Sequence, residues 1–576
     1  MGAMILEHKE FYTAADALTD ALVSAGVTHV FLNSGTDYPP IIESWAKYEA
    51  AGRKMPKVVI CPHEYPALSA AQGFAQLTGK PQAVFVHVDV GTQNLGGAIH
   101  NAFRCRVPVY ILAGVSPYTI EGELAGGRNA QIQFLQNVGD QAGIVRGYTK
   151  MNVELRSGKN VPQMVWRALQ LAKSAPQGPV YTVASREVLE EEALDVKLSP
   201  ETWAPVAPTG LDDTSVTLLA DALRGAKKPL IVTSYLGRNT DAVAELVGLS
   251  ETLAIPVVEM HHSNMNFPGD NEMHLGFDSH TLIKDADVIL VLDSDIPWIP
   301  AACRPDRDCR VFYLDLDPLK ETIPLWYIPA ERFMKADAET ALRQLNSALA
   351  AEAGRLNREL VENRRAVVSA LHREMREKWR REASDSAGMT SAFVAQCVRE
   401  VITDDTIVLN EAVTDKPAVD RLLTRTKPGT VFWSGGSSLG WHGGAAVGMK
   451  LARPEKDIVA LTGDGTYIFS CPTAVFWMAR KYNAPFLTVI FNNSGWGAPK
   501  MITKAQHPGG WAEAGNTFWA SLQPPAQLDM VAAAAGGAFA KTVSDPAQLK
   551  AALQEGRDAV KMGIPAVINV MMAASV

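Results

Sequence analysis

Between residues 10 and 115 the chain switches repeatedly between apolar residues at helical spacing and short unbroken apolar runs: EFYTAADALTDALVSAG, THVFLNSG, KVVIC, EYPALSAAQGFAQLTG, QAVFVHV, NLGGAIHNAFRC and VPVYILAG. Unbroken apolar runs are strands buried on both faces, and strands separated by helices run parallel. That order predicts a parallel sheet covered on both sides. The pattern returns from 213 to 345 with PLIVTSY, IPVVEM, DVILVLDSD and CRVFYLDLD as strands, and from 388 to 576 with TIVLN, TVFWSG, DIVALTGDG, FLTVIFNN and PAVINVMM. The expected fold is α/β, with three doubly wound parallel-sheet domains at 1–190, 213–345 and 388–576. An acidic, proline-bearing linker at 191–212 and an Ala, Glu and Arg-rich connecting helix at 346–387 separate them.

Composition agrees with several buried cores: 576 residues exceed the roughly 150 of one domain, and 47% apolar with 20% charged residues is a globular balance. With 54 basic and 62 acidic residues the net charge is −8, which disfavours a nucleic-acid partner. The six cysteines form no C-x-x-C pair, so neither a disulfide framework nor a zinc site is signalled. Neither a signal peptide nor an apolar run of about 18 residues is found, so no membrane partner and a cytoplasmic location are expected.

The sharpest motif lies in the third domain. A strand ends at Gly463-Asp464-Gly465, and FNNSGWG follows at the end of the next one. In a parallel sheet both turns lie at the carboxyl edge, where open α/β folds bind ligands. Asp464, the Asn493 amide oxygen and the Gly495 carbonyl are hard oxygen donors suited to magnesium, which can hold a diphosphate. Either turn alone is an ordinary strand end; GDG and NN at this spacing together resemble the thiamine diphosphate motif.

CPHEYPALSAAQGFAQLTGKPQAVFVHVDVGTQN is similar to the pyrimidine-binding domain of the same enzymes, and VLNEAVTDKPAVDRLLTRTKPGTVFWSGGSSLGWHGGAAVG to a segment of their diphosphate domain. The chain thus resembles the thiamine diphosphate-dependent acetolactate synthase and pyruvate decarboxylase group, most closely the benzoylformate decarboxylases. The resemblance implies that Glu64 pairs with the aminopyrimidine and that Leu439 wedges the cofactor into a V shape. It also implies diphosphate contacts at Thr414, Gly463, Gly465 and Thr466, and magnesium at Asp464, Asn493 and Gly495. Ala412 and Val413 stand where those decarboxylases carry hydroxyls, so more of the diphosphate binding falls to backbone N–H groups. His87 matches an active-site histidine able to shuttle a proton or hold a carboxylate. Thr36 and Asn94 are the further substrate candidates, with Asp37 and Tyr38 read either as turn or as pocket residues. His442 is read as a relocated acid/base or as packing, because DSDIPWIPAACRPDRD offers no second catalytic histidine. His100, His261 and His262 are read as structural. Trp298, Phe518 and Trp519 are core or an aromatic pocket, and the enlarged segment 500–530 is a lid or specificity loop.

The activity implied is non-oxidative cleavage of a 2-oxo acid to carbon dioxide and an aldehyde through an enamine held by the cofactor. Alternatives are a carboligase like acetolactate synthase, a 2-hydroxyacyl-CoA-type lyase, and a non-catalytic cofactor-binding relative. FAD is not expected, since 213–345 lacks a G-x-G-x-x-G fingerprint. A homodimer or homotetramer with active sites at subunit interfaces is implied.

Overall fold

The structure, a computed structural model, describes residues 11–384 and 388–573. Among the described residues, seventeen strands fall into three sheets, and every pairing between them is parallel. The first sheet comprises β1 (His29–Leu32), β2 (Lys57–Ile60), β3 (Gln82–Val86), β4 (Val109–Gly114), β5 (Asn152–Leu155) and β6 (Val180–Ala184), in the order β2-β1-β3-β4-β6-β5. The second holds β7 (Pro229–Thr233), β8 (Val257–Glu259), β9 (Val288–Leu292), β10 (Arg310–Asp315) and β11 (Arg332–Lys335), ordered β11-β10-β9-β7-β8. The third holds β12 (Ile407–Glu411), β13 (Val431–Phe432), β14 (Ile458–Gly463), β15 (Leu487–Asn492), β16 (Phe539–Val543) and β17 (Ala566–Met571), ordered β13-β12-β14-β15-β17-β16. Sheets with helices on both faces need strands that are apolar throughout, and β3, β4, β6, β7, β9 and β15 are buried at every position.

The chain divides into two compact units. One is residues 11–206 with 436–448; the other is 207–435 with 449–573. Helices of the first that matter below are α1 (Glu64–Thr78) and α2 (Val88–Arg104). The second unit carries α3 (Arg358–Ser384), α4 (Trp441–Ala452) starts in the first, and α5 (Asp464–Phe469) follows β14 in the second. Starts are set locally: Thr13, Ser185, Asp212, Asn239, Asp337 and Thr390 each accept an N–H of the helix they precede. The stretch expected as one connecting helix divides: its start completes Ala338–Ala351, whose Ala341, Leu342, Leu345 and Leu349 enter the second sheet's core, and α3 then runs separately. Arg364 ties α3 down by donating to the Leu253 and Arg224 carbonyls at 3.0 and 2.9 Å and to that of Ala226. Residues 385–387 of that stretch lie outside the described residues.

Strand order reverses between β1 and β3 in the first sheet and between β12 and β14 in the third. Such a reversal opens a crevice at the carboxyl ends of the two strands. Those ends lead into Asn33–Tyr38 and His87, and into Ala412–Asp415 and Gly463–Gly465, where the motif residues stand. In the second sheet a buried ionic cluster sits at the same edge: Lys320 Nζ donates to Asp315 Oδ2 at 2.6 Å, to Asp295 Oδ1 at 2.9 Å and to the Tyr235 hydroxyl at 2.8 Å.

Candidate active site

In the first unit, α1 begins three residues after β2, and its first residue is Glu64. His63 caps it, Nδ1 accepting from Tyr65 N at 3.1 Å, and the positive helix end favours a carboxylate there. Glu64 is only 6% exposed. Asn94 Nδ2 donates to its Oε2 at 3.1 Å, and a Cβ on Gly91 would stand 3.1 Å from Oε1. Asn94, a substrate candidate from sequence, is thus engaged with Glu64. Gly91 N also donates to the His87 carbonyl at 2.6 Å, so one turn of α2 borders both residues.

The Leu439 loop is gripped by the same two helices. The Tyr65 hydroxyl donates to Leu439 O at 2.6 Å, Asn101 exchanges bonds of 2.8 and 3.0 Å with the Ser438 backbone, and His100 Nε2 meets Gly436 O at 2.7 Å. Ser437 and Gly440 take φ of +64° and +98°, the left-handed turns that project Leu439 between them. Leu439 is half-buried and His442 fully so, in the first turn of α4. The structural reading of His100 therefore has a concrete content: it anchors this loop.

At the β1/β3 crevice, His87 Nδ1 lies 2.6 Å from Asp37 Oδ1, and Nε2 lies 2.8 Å from Gln136 Oε1. Burial opposes a charged ring here, but the Asp37 hydrogen bond and charge, with help from Gln136 and Asp89, outweigh it and hold the pKa above the usual histidine value. Thr36 is exposed, its carbonyl 3.5 Å from Arg186 Nη1. Tyr38 is core: its hydroxyl donates to Val86 O at 2.6 Å and Leu112 O at 3.1 Å.

In the second unit, Gly495 N donates both to Asp464 Oδ2, at 2.9 Å, and to Asn493 Oδ1, at 3.1 Å. One N–H thus gathers two of the three oxygens expected to hold a cation. Asp464 Oδ1 accepts from Gly465 N at 2.8 Å, and among the described residues no lysine or arginine pairs with this buried carboxylate. Burial holds its pKa above the usual value, the condition a divalent cation would relieve. The neighbouring Asn492 instead fixes the turn, with Oδ1 accepting from Ser494 N at 3.0 Å and Nδ2 reaching Asn569 Oδ1 at 3.0 Å. Thr466 is buried in the first turn of α5, and a Cβ on Gly497 would meet Thr414 Cγ2 at 2.9 Å and Asn493 Nδ2 at 3.5 Å, so the ends of β12 and β15 converge. The donor set and this convergence suit magnesium holding a diphosphate.

The sequence reading left three neighbours without a role, Gln136, Asp415 and Trp496, and left Asp37 as either turn or pocket. Asp37 and Gln136 flank His87. Asp415 borders Asp464, its pKa raised by burial and held down in part by Ser391 and Thr414. Trp496 lies over Gly465, where a Cβ would come 2.3 Å from the ring, so only glycine fits there. FNNSGWG contained that tryptophan, but nothing in the motif tells where its ring points. Trp298 is packed in the second sheet's core, Trp519 is 92% exposed, and Phe518 is half-buried under Lys500. In 500–530 the structure has two short helices, ending at Gln506 and Ala514, then the start of a third at Leu528, and little buried apolar surface.

Three parallel α/β domains, two of them with polar residues gathered at a switch-point crevice, define a class of ligand-binding α/β proteins. Matches to family descriptions narrow it: "Thiamine pyrophosphate enzyme, N-terminal TPP binding domain" over residues 12–144, "central domain" over 216–345, and "C-terminal TPP binding domain" over 416–570. The chain belongs to the thiamine pyrophosphate (thiamine diphosphate) enzyme family, and thiamine diphosphate is its cofactor. It is 24% identical over 494 residues to an acetolactate synthase of Bacillus subtilis, covering 83% of this chain and 81% of that one. It is 23% identical over 513 residues to a benzoylformate decarboxylase of Pseudomonas aeruginosa, covering 84% and 87%. A crystal structure of benzoylformate decarboxylase from Polynucleobacter necessarius superposes with a TM-score of 0.77 over 97% of this chain and 98% of that one, at 19% identity, a likeness of fold. No helix among the described residues is long and apolar enough to cross a membrane.

Proposed function

We propose that the protein catalyses non-oxidative decarboxylation of a 2-oxo acid to an aldehyde, as a cytoplasmic homodimer or homotetramer using thiamine diphosphate and magnesium. The observation that carries this reading is the buried Glu64 carboxylate in the first turn of α1, held by Asn94 and flush against Gly91. When bound, the cofactor supplies the nucleophilic carbon and electron sink that cleavage beside a carbonyl requires.

The chain's residues do the rest. Glu64 holds the pyrimidine and Asn94 holds Glu64. Leu439, fixed through its own carbonyl, supplies the apolar wedge, and prearranged proximity of this kind is worth orders of magnitude in rate. Asp464, Asn493 and Gly495 would hold magnesium, with Thr414, Gly463, Gly465 and Thr466 around the diphosphate. His87 Nε2 is the atom placed to hold the substrate carboxylate or to move a proton.

The test is turnover of a panel of 2-oxo acids by protein supplied with magnesium and thiamine diphosphate, with and without an acceptor aldehyde, beside Glu64→Gln. The expected result is aldehyde and carbon dioxide from an aromatic or branched acid, falling at least about 100-fold in the variant. The likeness to an acetolactate synthase favours a second reading, carboligation, which would give 2-hydroxyketones and carbon dioxide only with acceptor. Turnover undiminished in Glu64→Gln would defeat both.

A further inference from the structure

We propose that Asp37 is a positioning residue of the first-unit site: its buried carboxylate holds the His87 ring through Nδ1–H, so that Nε2–H faces outward as the donor for a substrate oxygen, in the place Gln136 Oε1 takes here. The identity of the incoming oxygen rests on the decarboxylase reading; the pair itself does not.

The fold is built around this contact. Asp37 and His87 are 50 residues apart, and their side chains meet at 2.6 Å because β1 and β3 are neighbours. Room for them is made by two missing side chains: a Cβ on Gly35 would fall 2.0 Å from His87 Nδ1 and 2.5 Å from Asp37 Oδ1, and one on Gly114 would fall 1.8 Å from Asp37 Oδ2. The loop is pinned one residue on, where Tyr38 bonds to the carbonyls of Val86 on β3 and Leu112 on β4. Val88 N donates to Asp37 Oδ2 at 3.3 Å from a backbone with φ of +29°, a conformation unfavourable for a β-branched residue and kept at the turn that aims His87.

Charge points the same way. The Asp37 side chain is 2% exposed, and among the described residues no lysine or arginine pairs with it. Asp89, at the start of α2, is a second buried carboxylate, with Oδ1 lacking any hydrogen-bond partner. Tyr38 and Tyr181 face the same space as neutral phenols, Tyr181 pushed up to about 12 by burial. A buried carboxylate without a cation is costly, and His87 is the basic group set against both. A ring protonated at both nitrogens satisfies Asp37 Oδ1 and Gln136 Oε1 together.

The experiment is carbethoxylation of the full-length protein by diethylpyrocarbonate across pH 5 to 9. The reagent attacks only the unprotonated ring, and peptide mass spectrometry follows the peptide that bears His87. Half-maximal reactivity in the wild type is expected above the ordinary value near 6.5. In Asp37→Asn it should fall by about one pH unit or more, and Asp37→Glu should restore it. Gln136→Ala, at a half-exposed position, should react faster, with a half-point that falls by less than in Asp37→Asn because Gln136 gives the smaller part of the support. Should Asp37→Asn not fold, a half-point still above about 6.5 in Gln136→Ala carries the assignment to Asp37, and one at or below that value overturns it. An unchanged half-point in Asp37→Asn overturns the proposal, as does a fall of equal size in Gln136→Ala. Where a 2-oxo acid is turned over, Asp37→Asn should raise KM more than it lowers kcat and move the alkaline limb of kcat/KM to lower pH. Absence of turnover in the wild type would remove the decarboxylase reading, and the modification profile would still decide the Asp37–His87 pair.

Discussion

Asn94 illustrates what a single side chain's partners add to its chemistry. From the sequence it is an amide near a histidine and a fair substrate ligand; in the fold its Nδ2 is committed to Glu64 Oε2 at 3.1 Å. Removing a donor to a buried carboxylate leaves the acceptor in place but free to swing, so an Asn94→Ala variant loses orientation rather than substrate binding. We expect kcat to fall about tenfold or more with KM changed less than about twofold. Steady-state kinetics on whichever 2-oxo acid is turned over checks this, and a KM effect dominating the loss would return Asn94 to the substrate. Asp464 and Asn493 differ in kind, since their expected role as cation ligands came from type and spacing within two turns, and the local turn brings both oxygens to one N–H.

At the scale of elements, the close seam between α1 and α4 is the feature on which the Leu439 loop depends. Gly444 and Gly448, one turn apart on α4, face Pro66 and Ala70 of α1, and Gly73 of α1 faces Ala445 in return. A Cβ on Gly448 would fall 1.9 Å from Ala70 O, and a backbone carbonyl cannot step aside as a flexible side chain would. Gly448→Ala should therefore cost about 1–3 kcal/mol, seen as a drop of a few degrees in Tm, and should weaken cofactor retention by shifting Leu439 relative to Glu64. Gly225, at the end of its helix with nothing within 4 Å of a Cβ, is the matched control. Gly225→Ala should gain about 0.4–1 kcal/mol. Thermal unfolding of both variants, read with and without cofactor, tests the contrast. The strands, helices and GDG and NN turns were legible in the sequence because each is specified within a few residues. The grip on Leu439 was not, because Tyr65 and Asn101 reach it across more than 330 residues. Asp37 stayed indistinct for the same reason, as the β2-β1-β3 order that brings it to His87 is a property of the sheet.

Over the whole molecule, histidines with displaced pKa values make the response to acid uneven between the two units. In the second, burial and the nearby Lys416 hold His261 and His262 below the usual histidine pKa, and burial holds that of His372 down, its Nδ1 2.8 Å from His274 O. In the first, burial lowers His29 to about 4, whereas the Asp37 contact raises His87. A histidine with a depressed folded pKa is protonated in the unfolded chain below about 6.5 and stays neutral in the fold, so stability is lost as pH falls from there. A raised pKa has the opposite sign: the His87 contribution is complete below about 6.5 and is lost as pH rises through its folded value. Each proton taken up only by the unfolded chain costs at most about 1.4 kcal/mol per pH unit, less for the half-buried His29 and His372, and least for His261, whose side chain is exposed and screened by water. Three depressed histidines act in the second unit, while in the first the effect of His29 is opposed by that of His87. Lowering the pH from 7 to 5.5 should therefore loosen β7 and β9 before β1 and β3. Hydrogen exchange at the two pH values, corrected for the intrinsic rate and resolved by peptide, measures this directly. Greater loss of protection in β1 and β3 would mean that His87 does not carry the charge its partners impose, which would also count against the assignment of Asp37.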